Sequence, residues 1–171
     1  MAITRLNNNS ISSISALPSG IPTGKVLQIV KTDASSKTST TSSSETTAAT
    51  SNSITPSATS SKILVCVHGF VANERQGDQL PTFTKIYRSV GGTETQVSSA
   101  KTAYSDSENI TTHLKHIGGG NTNRMATNVG YTILDEPNTT SAVTYLWKHK
   151  NSGGATDIVG GVVFNLIEIG A

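Results

Sequence analysis

The stretch "KILVCVHGF" (residues 62–70) is apolar on both faces of an extended chain and is bounded by serine and glycine. That is the pattern of a strand buried at the centre of a sheet. It has company. "KVLQIVKT" (25–32) sets Val26, Gln28 and Val30 against Leu27, Ile29 and Lys31, and it too is apolar on both faces at its centre. "TFTKIYRSV" and "TETQVSS" flank Gly91-Gly92, the pair that supplies the positive φ angles of a two-residue hairpin turn. "NITTHLKHI" (109–117) reads as a further strand, ended by Gly118–Gly120, and "RMATNVGYTILD" (124–135) as another, closed by Pro137. "SAVTYLWKHK" (141–150) alternates cleanly, with Val143, Tyr145 and Trp147 facing one way and Thr144, Lys148 and Lys150 mainly the other. Asn151–Gly154 turns the chain into "DIVGGVVFNLIEIGA", a segment apolar enough to be tied down inside a sheet. Short strands at this spacing with glycine-rich turns predict an all-β fold, an antiparallel β-sandwich or jelly roll.

Composition supports strands over helices. Only 14% of the residues are charged, where a soluble protein usually has about a quarter. Ser, Thr, Asn and Gly fill the gap, and exposed helix faces favour long straight side chains instead. The 171 residues suit one domain plus an appendage. We divide them into an extended N-terminal arm (1–24), a first strand with a Ser/Thr-rich edge segment (25–61) and the main body of the sandwich (62–171). Within the Ser/Thr-rich stretch, residues 34–49 read equally as a solvated linker or as a threonine-rich edge strand, and order is expected from Ile54 onward.

The same totals narrow the function. A net charge of +2 builds no field for nucleic acid. No apolar run reaches the roughly 20 residues needed to cross a bilayer, so no membrane insertion is expected. "MAITRLNNNS" lacks the apolar core of a secretory signal. Cys66 is the sole cysteine, which excludes an intrachain disulfide framework and reads as a small buried hydrophobe between Val65 and Val67.

Candidate chemistry falls away on inspection. The strand-His68-Gly69 sequence suggests an α/β-hydrolase oxyanion loop, but no Gly-x-Ser-x-Gly elbow occurs in the chain. "SGIPTGKV" misses the phosphate-loop spacing by one residue, and Val26 stands where Ser or Thr is required. His113 and His116 fall on opposite faces of one strand, which leaves no single-chain metal site, and a histidine ring on a threefold axis is set aside. Asp106 with Glu108, and Asp135 with Glu136, read as solvated loop charges and not as a glycosidase pair. Tyr145 and Trp147 read as core residues and not as a sugar-stacking platform with Tyr87 and Tyr104. Asn8, Asn109 and Asn138 begin Asn-x-Ser/Thr triplets by chance. No enzyme and no cofactor are expected.

The arm is the distinctive part. "LNNNSISSISALPSG" carries no side-chain charge, and Ile3–Leu6 and Ile11–Ile14–Leu17 recur every third residue ahead of Pro18. Asn7, Asn8 and Asn9 can donate and accept hydrogen bonds with another backbone, and the aliphatics can fill pockets without burying charge. "MAITRLNNNSISSISALPSGIPTGKVLQIV" resembles the leader of small structural proteins of marine bacteriophages, notably those infecting cyanobacteria. "SITPSATSSKILV", "LDEPNTTSAVTY" and "FNLIEIGA" are similar to words of the same family. The chain departs from that pattern at "SSKTSTTSSSETTAATS", where the family carries an aliphatic or aromatic alternation, and "HGFVANERQGDQLP" has no counterpart in it. The resemblance implies a virion surface protein made in the host cytoplasm, of capsid-decoration or short-fibre type. It also implies a homotrimer docked onto other virion proteins through Ile3, Leu6, Asn7, Asn8, Asn9, Ile11, Ile14, Leu17 and Pro18. The alternative is a tail-fibre adhesin for a host-surface glycan or protein.

Overall fold

The computed structural model describes residues 25–75, 82–98, 123–151 and 156–170. The arm (1–24), with all its docking residues, lies outside them, as does the strand expected over 109–117. Nine strands and no helix make up the described residues: β1 (Val26–Ala34), β2 (Thr38–Thr40), β3 (Thr46–Thr50), β4 (Lys62–Arg75), β5 (Thr82–Val90), β6 (Thr93–Gln96), β7 (Asn123–Asp135), β8 (Val143–Asn151) and β9 (Thr156–Ile169).

The strands form two antiparallel sheets. Sheet A runs β1-β9-β4-β7, with β2 continuing the β1 edge of β9, and sheet B runs β3-β8-β5-β6. With β2 counted as an extension of β1, the pairs nest: first with last, then β3 with β8, β4 with β7 and β5 with β6. Nested antiparallel pairs rolled into two facing sheets are a jelly roll. The Ser/Thr-rich segment thus resolves as edge strands β2 and β3, held by ladders to β9 and β8, because Thr suits a half-buried pleat.

The facing sides of the sheets share one core. Val65 and Val67 of β4, Phe164 and Leu166 of β9, Ile86 of β5, and Tyr145 and Trp147 of β8 all sit in it, each 2% exposed or less. Such side chains are worth roughly 1.5–3 kcal/mol apiece when buried. Trp147 meets Tyr131 of β7 edge to face, with ring centroids 5.4 Å apart, and so ties sheet B to sheet A. The alternation of "SAVTYLWKHK" is thereby confirmed.

Glycines sit where the backbone needs them. Gly91 and Gly92 (φ 57° and 85°) form the β5–β6 turn, as the sequence predicts. Gly161 (φ 57°) is the extra residue of a bulge in β9. From His68↔Val163 to Phe70↔Gly160, β4 advances two residues while β9 advances three. The Phe70 ring lies over the bulge, 2.7 Å from where a Cβ on Gly160 would stand, so a side chain there would have to push the ring aside.

Two expectations need correction. β4 is central in sheet A, yet only one of its faces is covered: Ile63, Val65 and Val67 are buried, while Leu64 and Cys66 are half-buried and His68 is exposed on the outer face. Cys66 is therefore not a buried core residue. The two-sided apolar pattern predicts burial on both faces, and among the described residues only one face is covered.

Candidate functional site

Residues 1–24 precede β1 directly in the sequence, and the start of β1 is held by several hydrogen bonds. Gly170 N donates to Lys25 O at 2.8 Å, and Gln28 Nε2 donates to the Glu168 carboxylate at 2.6 Å and to Thr55 O at 2.7 Å. The backbone N and Oγ of Ser57 both donate to the other Glu168 oxygen, each at 2.7 Å. Burial alone would raise the Glu168 pKa, but these donors outweigh it and hold the carboxyl at about 2. Glu168 is in phase with Phe164 and Leu166 along β9, so the charge points inward and is satisfied there. The arm therefore leaves from a rigid root.

The two outer faces differ in chemistry. Sheet B presents a lattice of charges. Lys85 Nζ donates to Glu45 at 2.6 Å, Tyr87 OH donates to the same carboxylate at 2.7 Å, and Lys148 pairs with Glu94. Lys148 Nζ stands 4.9 Å from the centroid of the Tyr87 ring and Lys150 Nζ 5.2 Å from that of Phe83. Burial and the Glu45 carboxylate push the Tyr87 phenol up to about 12, so it stays a donor.

Sheet A presents an apolar row instead. Register aligns Ile29 of β1 with Ile167 of β9, Ile167 with Leu64 of β4, and Leu64 with Leu134 of β7. This apolar row crosses the whole sheet on its outer face, with Ile29 64% and Leu134 54% exposed. Val26 and Leu27 extend it at the arm junction. From Leu64 to His68 on β4, Asn128 to Leu134 on β7 and Val163 to Ile169 on β9, no outward residue is Asp, Glu, Lys or Arg. Beside it, Lys31 pairs with Asp33 at 3.0 Å and Lys62 with Glu136 at 2.6 Å.

Other predicted residues take structural places. Asp135 is buried, not solvated: Oδ1 accepts from Arg88 Nη1 at 2.8 Å and Oδ2 from Tyr145 OH at 2.7 Å. Glu136 is the exposed loop charge expected of it. Tyr145 and Trp147 lie in the core, and Tyr87 lies on the opposite face of sheet B, so they form no common platform. Tyr104, His113, His116, Asp106 and Glu108 fall outside the described residues. Among the described residues no group of three metal-ligating side chains gathers.

The far end of the sandwich holds a polar cluster. Asp157 Oδ1 accepts from Asn73 Nδ2 and from Thr82 Oγ1, each at 2.8 Å, and His149 lies buried nearby in sequence phase with Trp147. Burial raises Asp157 to about 6 and lowers His149 to about 4. Their effects on stability oppose each other. The unfolded state protonates His149 first, so that contribution is lost as pH falls from 6.5 towards 4. The fold prefers protonated Asp157, so that contribution is lost as pH rises from 3.8 through 6. Asp157→Asn should therefore match the wild type near pH 4 and exceed it by about 2 kcal/mol at pH 8. Urea unfolding at both values checks this, and an equal gain at both pH values would contradict it.

No family model matches the chain, and no curated protein matches it. Among solved structures, the chain is loosely similar to several of one virus. The infectious bursal disease virus Gx strain structure is 13% identical with a TM-score of 0.41, covering 93% of this chain and 42% of that one. The infectious bursal disease virus VP2 subviral particle is 13% identical with a TM-score of 0.34, covering 93% and 44%. The Gt strain structure of that virus is 13% identical with a TM-score of 0.33, covering 94% and 43%. The chain spans less than half the length of these proteins. A likeness this loose assigns no role.

Proposed function

We propose that this chain is a structural protein of a bacteriophage virion, displayed on the particle surface as a capsid-decoration or short-fibre protein and docked through residues 1–24. The observation that carries the reading is the leader, free of side-chain charge from Leu6 to Gly24 and similar to that of marine phage structural proteins, joined through a hydrogen-bonded first strand to a jelly roll. Jelly rolls recur in viral capsids and in lectins, which is an analogy of fold and not of site. The uncharged aliphatics of the arm suit a groove on another virion protein, and three copies are the number that the resemblance suggests. The role is structural, not catalytic.

An adhesin is the weaker reading. The aromatic rings on the outer face of sheet B already carry lysine ammonium groups over them, which takes up the ring faces a sugar would stack on. Deleting residues 1–20 separates the possibilities. The expected result is a folded oligomer missing from purified particles. Unchanged incorporation of the deletion variant would overturn the docking arm, and glycan-array binding by the intact protein would favour the adhesin.

A further inference from the structure

We propose that the outer face of sheet A is the surface through which copies of this chain associate, with the Ile29–Ile167–Leu64–Leu134 row at the centre of the contact. The first argument is the sequence pattern of the strands themselves. β1 and β4 are apolar on both faces, as strands covered on two sides are. Sheet B covers one side. Nothing in the single chain's described residues covers the other, where Ile29 and Leu134 stand more than half exposed.

Charge points to a like partner. A contiguous apolar patch marks an interaction site, and the charges flanking this one on β1 and β4 are matched within the chain as Lys31–Asp33 and Lys62–Glu136. Such a face neither attracts a charged partner nor repels its own copy. The charged lattice of sheet B is unsuited to the same contact, because burying Lys85, Glu45, Lys148 and Glu94 would strip them of water.

Area agrees. β4 and β9 have 14 residues each, which at about 3.3 Å per residue is about 46 Å, and four strands at about 4.8 Å give about 19 Å. The resulting face of about 900 Å² is close to the roughly 800 Å² per partner of a standard interface. Two sheets stacked face to face about 10 Å apart bring such rows into contact, and three sheets turned inward about one axis share an apolar centre as well.

The inference rests on sheet A alone and not on the virion reading, and purified protein tests it without particles. The full chain is measured by light scattering, and Cys66, which is half-buried on the same face, is alkylated with N-ethylmaleimide. The expected mass is two or three times 17.8 kDa. Ile29→Glu and Leu134→Glu, both at exposed positions and each checked for fold by circular dichroism, should weaken association roughly tenfold or more and speed Cys66 alkylation to match. Lys85→Gln on sheet B should change neither. A wild-type monomer, or an oligomer indifferent to both substitutions, overturns the proposal. So does deletion of residues 1–20 that speeds alkylation without changing the mass, because the arm would then be the cover.

Discussion

Trp147→Ala should lower stability by about 3–5 kcal/mol, the range for removing a buried aromatic. Trp147 is 0% exposed and is the residue by which β8 reaches Tyr131 across the sandwich. Against a total of roughly 5–15 kcal/mol for an ordinary domain, the loss leaves a protein that is at best marginal at growth temperature. The indole N–H finds no partner among the described residues, so the ring contributes by volume and edge contact, not by a hydrogen bond. Trp147→Phe should therefore lose only about 1–2 kcal/mol. Trp147 is the sole tryptophan, so unfolding must be followed by far-ultraviolet circular dichroism. Equal losses in the two variants would mean that the ring's size is not what holds the sheets together.

A comparable loss is expected at Asp135, the last residue of β7. Asp135→Ala removes the acceptor of both Arg88 and Tyr145. It leaves a mostly buried guanidinium without its anion and a fully buried phenol without an acceptor. Orphaning one partner of such a set costs about 3–5 kcal/mol. Burial, followed by the hydrogen bond to Asp135, pushes the Tyr145 phenol far above its ordinary pKa, so Tyr145 remains the proton donor across the working range. Adding Arg88→Met to Asp135→Ala should recover part of the loss, because the unpaired charge is gone. A double variant as weak as the sum of the single ones would show that the pair is not a coupled unit.

The fold was legible where period-two patterning is undisturbed. "SAVTYLWKHK" placed Tyr145 and Trp147 inward, and Gly91-Gly92 placed the β5–β6 turn, because sterics and burial act there on adjacent residues. The same alternation reaches His149, so its burial was readable and went unread. Asp135 was misjudged because a charge before Glu136 and Pro137 looks like a loop, and its partner Arg88 is 47 residues away. The Ser/Thr-rich segment could not be decided locally either. Its order comes from ladders to β8 and β9, about a hundred residues on. The most informative error was β4. Its pattern is apolar on both sides, but the described residues cover only one of them, because burial depends on partners that a local pattern does not name.

Electron cryomicroscopy of purified particles carrying the protein tests the account most directly. It predicts density for residues 1–24 lodged in a different virion protein, with the jelly roll outside and sheet B turned to solvent. Residues 1–24 lying instead on their own sheet A, or sheet B buried against the particle, would contradict it.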